Sequence, residues 1–160
     1  LLYIMDFMQT QKSTQSATIF LESEQVYWRA YLAKSKLFEG VHALLTTLRY
    51  AKCKTFLITD LTSNIQLRKL AWLGLERSFD LVITSEQAGG DKITGKPQQM
   101  LSDLVGEIPS NSWTIGDNDG DHLFPDKTLF FKKQSNGAFI KKNENRYEFS
   151  NFDDLRKQVT

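Results

Sequence analysis

A chain of 160 residues, 41% apolar and 24% charged, has the length and composition of one globular domain able to bury a real core. Its net charge of +1 provides neither a basic stripe for nucleic acid nor an acidic tail. No apolar run reaches the length of a membrane span, no basic-then-apolar leader is present, and the lone Cys53 excludes an internal disulfide framework. A single thiol fits a reducing compartment, and the expected location is cytoplasmic. The chain opens on Leu1-Leu2 rather than Met, which reads as a fragment or an unusual start.

In chain order, Leu1–Met5 is an apolar pentapeptide ending at Asp6, long enough for a short strand. Ser16–Ala33 carries helix formers and the aromatics Phe20, Tyr27, Trp28 and Tyr31. Phe38–Tyr50 repeats apolar residues at Val41, Leu44, Leu45 and Leu48, the spacing of one helix face. Thr55-Phe56-Leu57-Ile58-Thr59 reads as a buried strand, and Ser63 or Asn64 caps a helix that Gly74 stops. Phe79–Thr84 is a further strand, and Pro97 opens a helix carrying Met100, Leu101, Leu104 and Val105. Ser112–Gly116 and Thr128–Phe131 read as strands, with Lys132–Arg146 as a polar surface hairpin or loop.

Short apolar strands separated by helices predict an α/β fold, a doubly wound parallel sheet with helices on both faces. The strands ending at Thr59, Thr84 and Gly116 are expected in one sheet with their carboxyl ends on one edge, where open α/β sheets place their chemistry. Neither a Gly-rich dinucleotide fingerprint nor a Gly-Lys-Ser phosphate loop is present.

The strand at Ile115 empties into Gly116-Asp117-Asn118-Asp119-Gly120-Asp121, three acids within five residues. Like charges that close repel, and a divalent cation with oxygen ligands is the usual remedy; the plainer reading is a polar turn. Thr59 ends a buried strand and Lys96 precedes a helix in Gly95-Lys96-Pro97. A hydroxyl, an ammonium and a carboxylate pair on one edge form a set suited to phosphoryl groups, with Mg2+ on the carboxylates. His122 and His42 read as surface and structural histidines, and Asp119 as a loop residue.

With these residues in place the chain resembles the haloacid dehalogenase-like hydrolase superfamily. Phe38-Glu39-Gly40-Val41 with Leu44-Leu45 is similar to the start of the family's first core helix, and Phe56-Leu57-Ile58-Thr59 to its second motif. Leu73-Gly74-Leu75, Phe79-Asp80 and Thr84-Ser85-Glu86 resemble the approach to the third motif, for which Gly95-Lys96-Pro97 supplies the lysine. Ile115-Gly116-Asp117 with Asp121 fits the fourth. The resemblance spans roughly 38–131, and each motif is weak alone; their order and spacing together are specific.

The resemblance implies a Mg2+-dependent phosphatase of small phosphorylated substrates, working through an aspartyl-phosphate. It implies Thr59 on a phosphoryl oxygen, Lys96 neutralising nucleophile and phosphate, Asp117 on the metal, and Asp121 on the metal's water or orienting Lys96. The family's first motif, Asp-x-Asp-x-Thr, has one counterpart, Asp6-Phe7-Met8-Gln9-Thr10, in which Met8 stands where the general acid belongs. A thioether cannot protonate a leaving oxygen. Either Asp6 is the nucleophile at the end of a degenerate first strand, or Leu1, Ile4, Met5 and Met8 share the face of a cap helix. On both readings 1–37 is an N-terminal segment and 38–160 the core. The implied alternative to an active hydrolase is an impaired or truncated member serving as a binding or regulatory module.

Overall fold

The computed structural model describes residues 6, 10, 17–117, 121, 123, 128–131 and 139–158. The first strand expected at Leu1–Met5, and Met8, Asp119 and His122, lie outside these residues. The chain divides into two compact units, Leu1–Lys36 and Leu37–Thr160.

In the first unit α1 is Ala17–Lys34, and none of its residues is buried. Tyr27, Trp28 and Tyr31 pack against one another along it, with Tyr27 and Trp28 edge to face at 5.0 Å and Trp28 and Tyr31 at 5.5 Å. Asp6 and Thr10 are helical and exposed.

The second unit begins with α2, Val41–Tyr50, whose apolar spacing buries Leu44. Gly40 precedes it at φ 84°, and a Cβ there would lie 2.7 Å from the Asp153 nitrogen, so both conformation and space require glycine. The apolar run after the Lys52 turn forms β1, Phe56–Thr59, paired in parallel with β2, Leu81–Thr84, in the register Phe56↔Leu81 to Thr59↔Thr84. Between them α3, Ser63–Trp72, ends as the sequence predicts: Gly74 takes φ 67° and the Leu75 N–H returns to the Leu70 carbonyl at 2.8 Å. At its start Thr62 makes no side-chain cap; the first N–H, of Ser63, is met by Glu86 Oε2 at 2.8 Å. Thr84 ends β2 and starts the one-turn helix α4, Ser85–Ala88, through a capping box with Gln87.

A 3-10 turn, Lys92–Thr94, leads to α5, Lys96–Val105, with Pro97 in its first turn. Then β3, Thr114–Gly116, pairs in parallel with β4, Thr128–Phe131, which pairs in parallel with β6, Arg146–Phe149; β5, Ile140–Lys141, closes the edge antiparallel to β6. The last helix, α6, is Phe152–Gln158. One core gathers Leu44, Leu129, Phe149 and Leu155, while Ile83 and Leu101 are buried around β2.

The fold is α/β with parallel pairing, as the sequence implies, with one difference in its sheet. The described strands form two ladders, β1-β2 and β3-β4-β6-β5, rather than one. Among the described residues β1 and β3 are each bonded along one side, and Ile115, in the middle of β3, is 43% exposed. No described helix is long and apolar enough to cross a membrane.

The start of the β1-β2 ladder is tied by Asp80, which accepts from the Lys54 ammonium at 2.8 Å and from the Thr55 N–H at 2.9 Å. The lysine first, then the amide, hold the Asp80 carboxyl below the ordinary carboxylate range. A depressed pKa contributes stability above the unfolded-state value, and that contribution disappears as pH falls through the folded value. Asp80→Asn should therefore lower the thermal midpoint slightly at neutral pH, the pair being at the surface, and the gap from the parent should close in acid. Melting curves of both proteins across the acid range provide the test; a constant gap would mean that the charge contributes nothing.

Candidate active site at the carboxyl ends of the strands

Parallel register brings Thr59 and Thr84 side by side where β1 and β2 end. The Thr59 hydroxyl accepts from the Leu61 N–H at 3.2 Å, a local turn that fixes the chain leaving β1. Asp60, the next residue, organises the edge: its carbonyl accepts from Ser85 Oγ at 2.9 Å and its Oδ1 from the Lys92 N–H at 2.9 Å. The turn carrying Lys92 is thereby docked on the end of β1. Its own shape comes from Asp91, whose Oδ1 accepts from the Thr94 N–H at 3.1 Å. Gln98 adds a bond from Nε2 to the Lys92 carbonyl at 2.9 Å.

So held, the Lys92 ammonium lies 3.7 Å from Asp60 Oδ2 and is bonded directly to Asp121 Oδ1. The Lys92 and Asp121 side chains are only 17% and 11% exposed, against 48% for Asp60. The other oxygen of Asp121 accepts from the Asp117 N–H at 3.1 Å, which ties Asp121 to the end of β3. Gly116 makes room for that fold: a Cβ there would come within 2.1 Å of Asp121 Cβ.

Among the described residues Lys96 pairs with no carboxylate. It is exposed at the start of α5, and its ammonium donates to the Gly89 carbonyl at 2.7 Å. The lysine among the carboxylates is Lys92, four residues earlier. Gly95, at φ 75°, stands between the 3-10 turn that carries Lys92 and the helix that Lys96 starts. The signal in the sequence was Asp91 with Thr94, a cap pattern that fixes Lys92 in a turn. Asp60 was legible only as the residue following Thr59.

Two carboxylates, Asp60 and Asp121, thus pair with one ammonium, and the backbone N–H of a third acid, Asp117, is bonded to Asp121. Both oxygens of Asp121 receive a donor, from Lys92 and from the Asp117 N–H, and Asp117 is exposed. Among the described residues no three His, Cys, Asp or Glu side chains converge as a self-sufficient metal cage. Mg2+ needs none, since it takes one or two carboxylates and completes its shell with water and phosphate oxygens. The donor set fits Mg2+ through Asp117, with Asp121 turned to the lysine.

Comparison with known proteins bears on the family and the architecture. The sequence pattern described as haloacid dehalogenase-like hydrolase matches residues 3–124. A curated ribulose-1,5-bisphosphate 5-phosphatase of Halopiger xanaduensis is 41% identical over 66 residues, which is 41% of this chain and 28% of that protein. In fold the chain is similar to a HAD phosphatase from Thermococcus onnurineus, with a TM-score of 0.67 and 21% identity over 96% of this chain and 68% of that one. It is equally similar to the L-2-haloacid dehalogenase of Xanthobacter autotrophicus, with a TM-score of 0.69 and 15% identity over 95% of this chain and 70% of that one. Phosphatases and dehalogenases share this fold, so the likeness gives the architecture and the site must decide the chemistry.

Proposed function

Because the chain belongs to the haloacid dehalogenase-like hydrolase family, we propose that the protein is a Mg2+-dependent cytoplasmic phosphatase acting on a small phosphomonoester through an aspartyl-phosphate. The observation that carries this reading is the half-buried Lys92 ammonium, held by Asp60 and Asp121 at the edge where Thr59 ends β1. Phosphoryl transfer asks a protein mainly for placed positive charge and hydrogen-bond donors, and this edge has both. The likeness to a ribulose-bisphosphate phosphatase supports phosphate chemistry. Two late acids, Asp117 and Asp121, support a metal-assisted reaction over dehalogenation.

In this reading the Thr59 hydroxyl donates to a phosphoryl oxygen, and Lys92 neutralises nucleophile and phosphate, the role the sequence assigns to Lys96. Asp121 orients Lys92 and Asp117 would hold Mg2+. When bound, the ion supplies Lewis-acid neutralisation of the phosphoryl oxygens. A carboxylate oxygen bonds to phosphorus as the ester P–O bond breaks and the departing alkoxide takes up a proton. Water then displaces the carboxylate, giving up a proton, and inorganic phosphate leaves.

Asp6 is the carboxylate that the sequence offers for attack, and its helical, exposed backbone favours a second reading of this chain as a binding or regulatory module. Hydrolysis of p-nitrophenyl phosphate with Mg2+ or with EDTA separates the two. The phosphatase reading expects turnover that chelation removes; Mg2+ and phosphate binding without turnover would support the module. Turnover surviving Asp6→Asn would remove Asp6 from the mechanism.

Asp117→Asn should weaken Mg2+ binding about tenfold or more while leaving the unfolding free energy within about 0.5 kcal/mol of the parent. The substitution keeps the backbone N–H that Asp121 accepts from. Calorimetric titration with MgCl2 is the measurement, and equal heats for the two proteins would reduce the acids to a turn.

A further inference from the structure

We propose that the groove between α2 and the loop after α3 is a second anion site, selective for a phosphate group, free or on a small organic molecule. The groove encloses about 250 Å3. His42, Thr46, Arg49 and Tyr50 line it from one face of α2, recurring at helical spacing, and Arg77 and Ser78 face them from the loop. No acidic residue is among its described lining residues. Arg49 donates through Nη2 to the Arg77 carbonyl, so its guanidinium is anchored at the loop. Neither Arg49 nor Arg77 pairs with a carboxylate among the described residues, in a domain where Lys54, Lys92, Lys142, Arg146, Arg156 and Lys157 all do.

Two arginines without a carboxylate partner among the described residues line one small cavity with two hydroxyl side chains, a donor set that suits the tetrahedral oxygens of phosphate. Each guanidinium can offer paired N–H donors, and Ser78 and Thr46 can supply others. The site is separate from the Lys92 edge. Tyr50 and Ser78 stand just before the amino ends of β1 and β2, whereas Thr59, Asp60 and Thr84 are at the carboxyl ends. The inference stands on these residues alone and does not depend on the proposed phosphatase reaction.

The test is titration of the 15N-labelled protein with sodium phosphate and, separately, with glycerol 2-phosphate, against sodium chloride at matched ionic strength. Amides of Gly74–Ser78 and of Arg49 should shift saturably with either phosphate and not with chloride. Shifts with both ligands alike would mean that the phosphate group alone is read; stronger shifts with the organic ester would assign the gain to Tyr50 and the wall beside it. Arg77→Gln should weaken the response about tenfold, and Arg49→Gln with Arg77→Gln should abolish it. Arg49→Lys with Arg77→Lys, which keeps the charge, should retain part of it. Responses at Thr59 and Asp60 should be untouched by these substitutions. No shift at Gly74–Ser78, the same shift with chloride, or undiminished shifts in the double glutamine variant would each overturn the proposal.

Discussion

Lys92→Met should cost the domain about 3 kcal/mol of unfolding free energy, and Lys96→Met less than about 1 kcal/mol. The difference follows from where the two ammoniums sit. Lys92 is bonded to Asp121 with both side chains nearly enclosed, 17% and 11% exposed, and also offsets Asp60. Removing it leaves an almost buried carboxylate facing a second one with no cation between them, the arrangement in which breaking a pair costs most. Lys96 is exposed and holds one backbone carbonyl, so its loss exposes little. Urea unfolding of the three proteins measures the gap. If the proposed reaction operates, the same variant should lose about 10²- to 10³-fold in kcat. A larger stability loss in Lys96→Met would show that the Lys92–Asp121 pair is not what holds this edge.

The elements that were legible in the sequence are those whose burial is written in consecutive residues. Phe56-Leu57-Ile58 and Leu81-Val82-Ile83 can satisfy both faces of a sheet only as parallel strands, and Gly74 and Pro97 mark helix ends by backbone chemistry alone. What was not legible depends on tertiary partners. Arg146-Tyr147-Glu148-Phe149 alternates polar and apolar residues at the end of the polar stretch Lys132–Arg146 and just beyond it, yet it forms β6 and buries Phe149 completely. That happens because β4 supplies the ladder on one side and α6 brings Phe152 to 5.1 Å from the Phe149 ring. The ladder contact is not local. The division into two ladders is likewise invisible in a pattern that reports only how apolar each strand is.

The site shows the same boundary. Spacing led to Thr59, Asp117 and Asp121, because a residue that ends a parallel strand must come out on one edge. Of the lysines, spacing led to Lys96 alone. Lys92 comes to notice only through conformation, by the bond from its N–H to Asp60 and its ion pair with Asp121. Asp121 reads in the sequence as a metal ligand, and in the fold its two oxygens hold Lys92 and the Asp117 amide.

Gly116→Ala should be as damaging as the loss of Lys92, about 3 kcal/mol or roughly 6 to 12 °C in Tm, although it adds a single methyl group. The new Cβ would lie 2.1 Å from Asp121 Cβ and 2.7 Å from Asp121 Cγ and Oδ2. The nearest atom is next to the backbone, not the tip of a flexible side chain, so the whole acidic loop must move. Moving it separates Asp121 from Lys92 and from the Asp117 N–H, adding an unpaired carboxylate to the steric cost. Gly74→Ala is the contrast: its Cβ meets nothing within 4 Å, and the cost should be only about 1 kcal/mol for the left-handed backbone. The coupling can be isolated. Asp121→Gly removes both the clash and the ion pair, so Gly116→Ala in that background should add less than about 1 kcal/mol, far from additive. Thermal and urea unfolding of the single and double variants decide the matter. Additive costs would show that Gly116 is needed for some reason other than the close seat of Asp121.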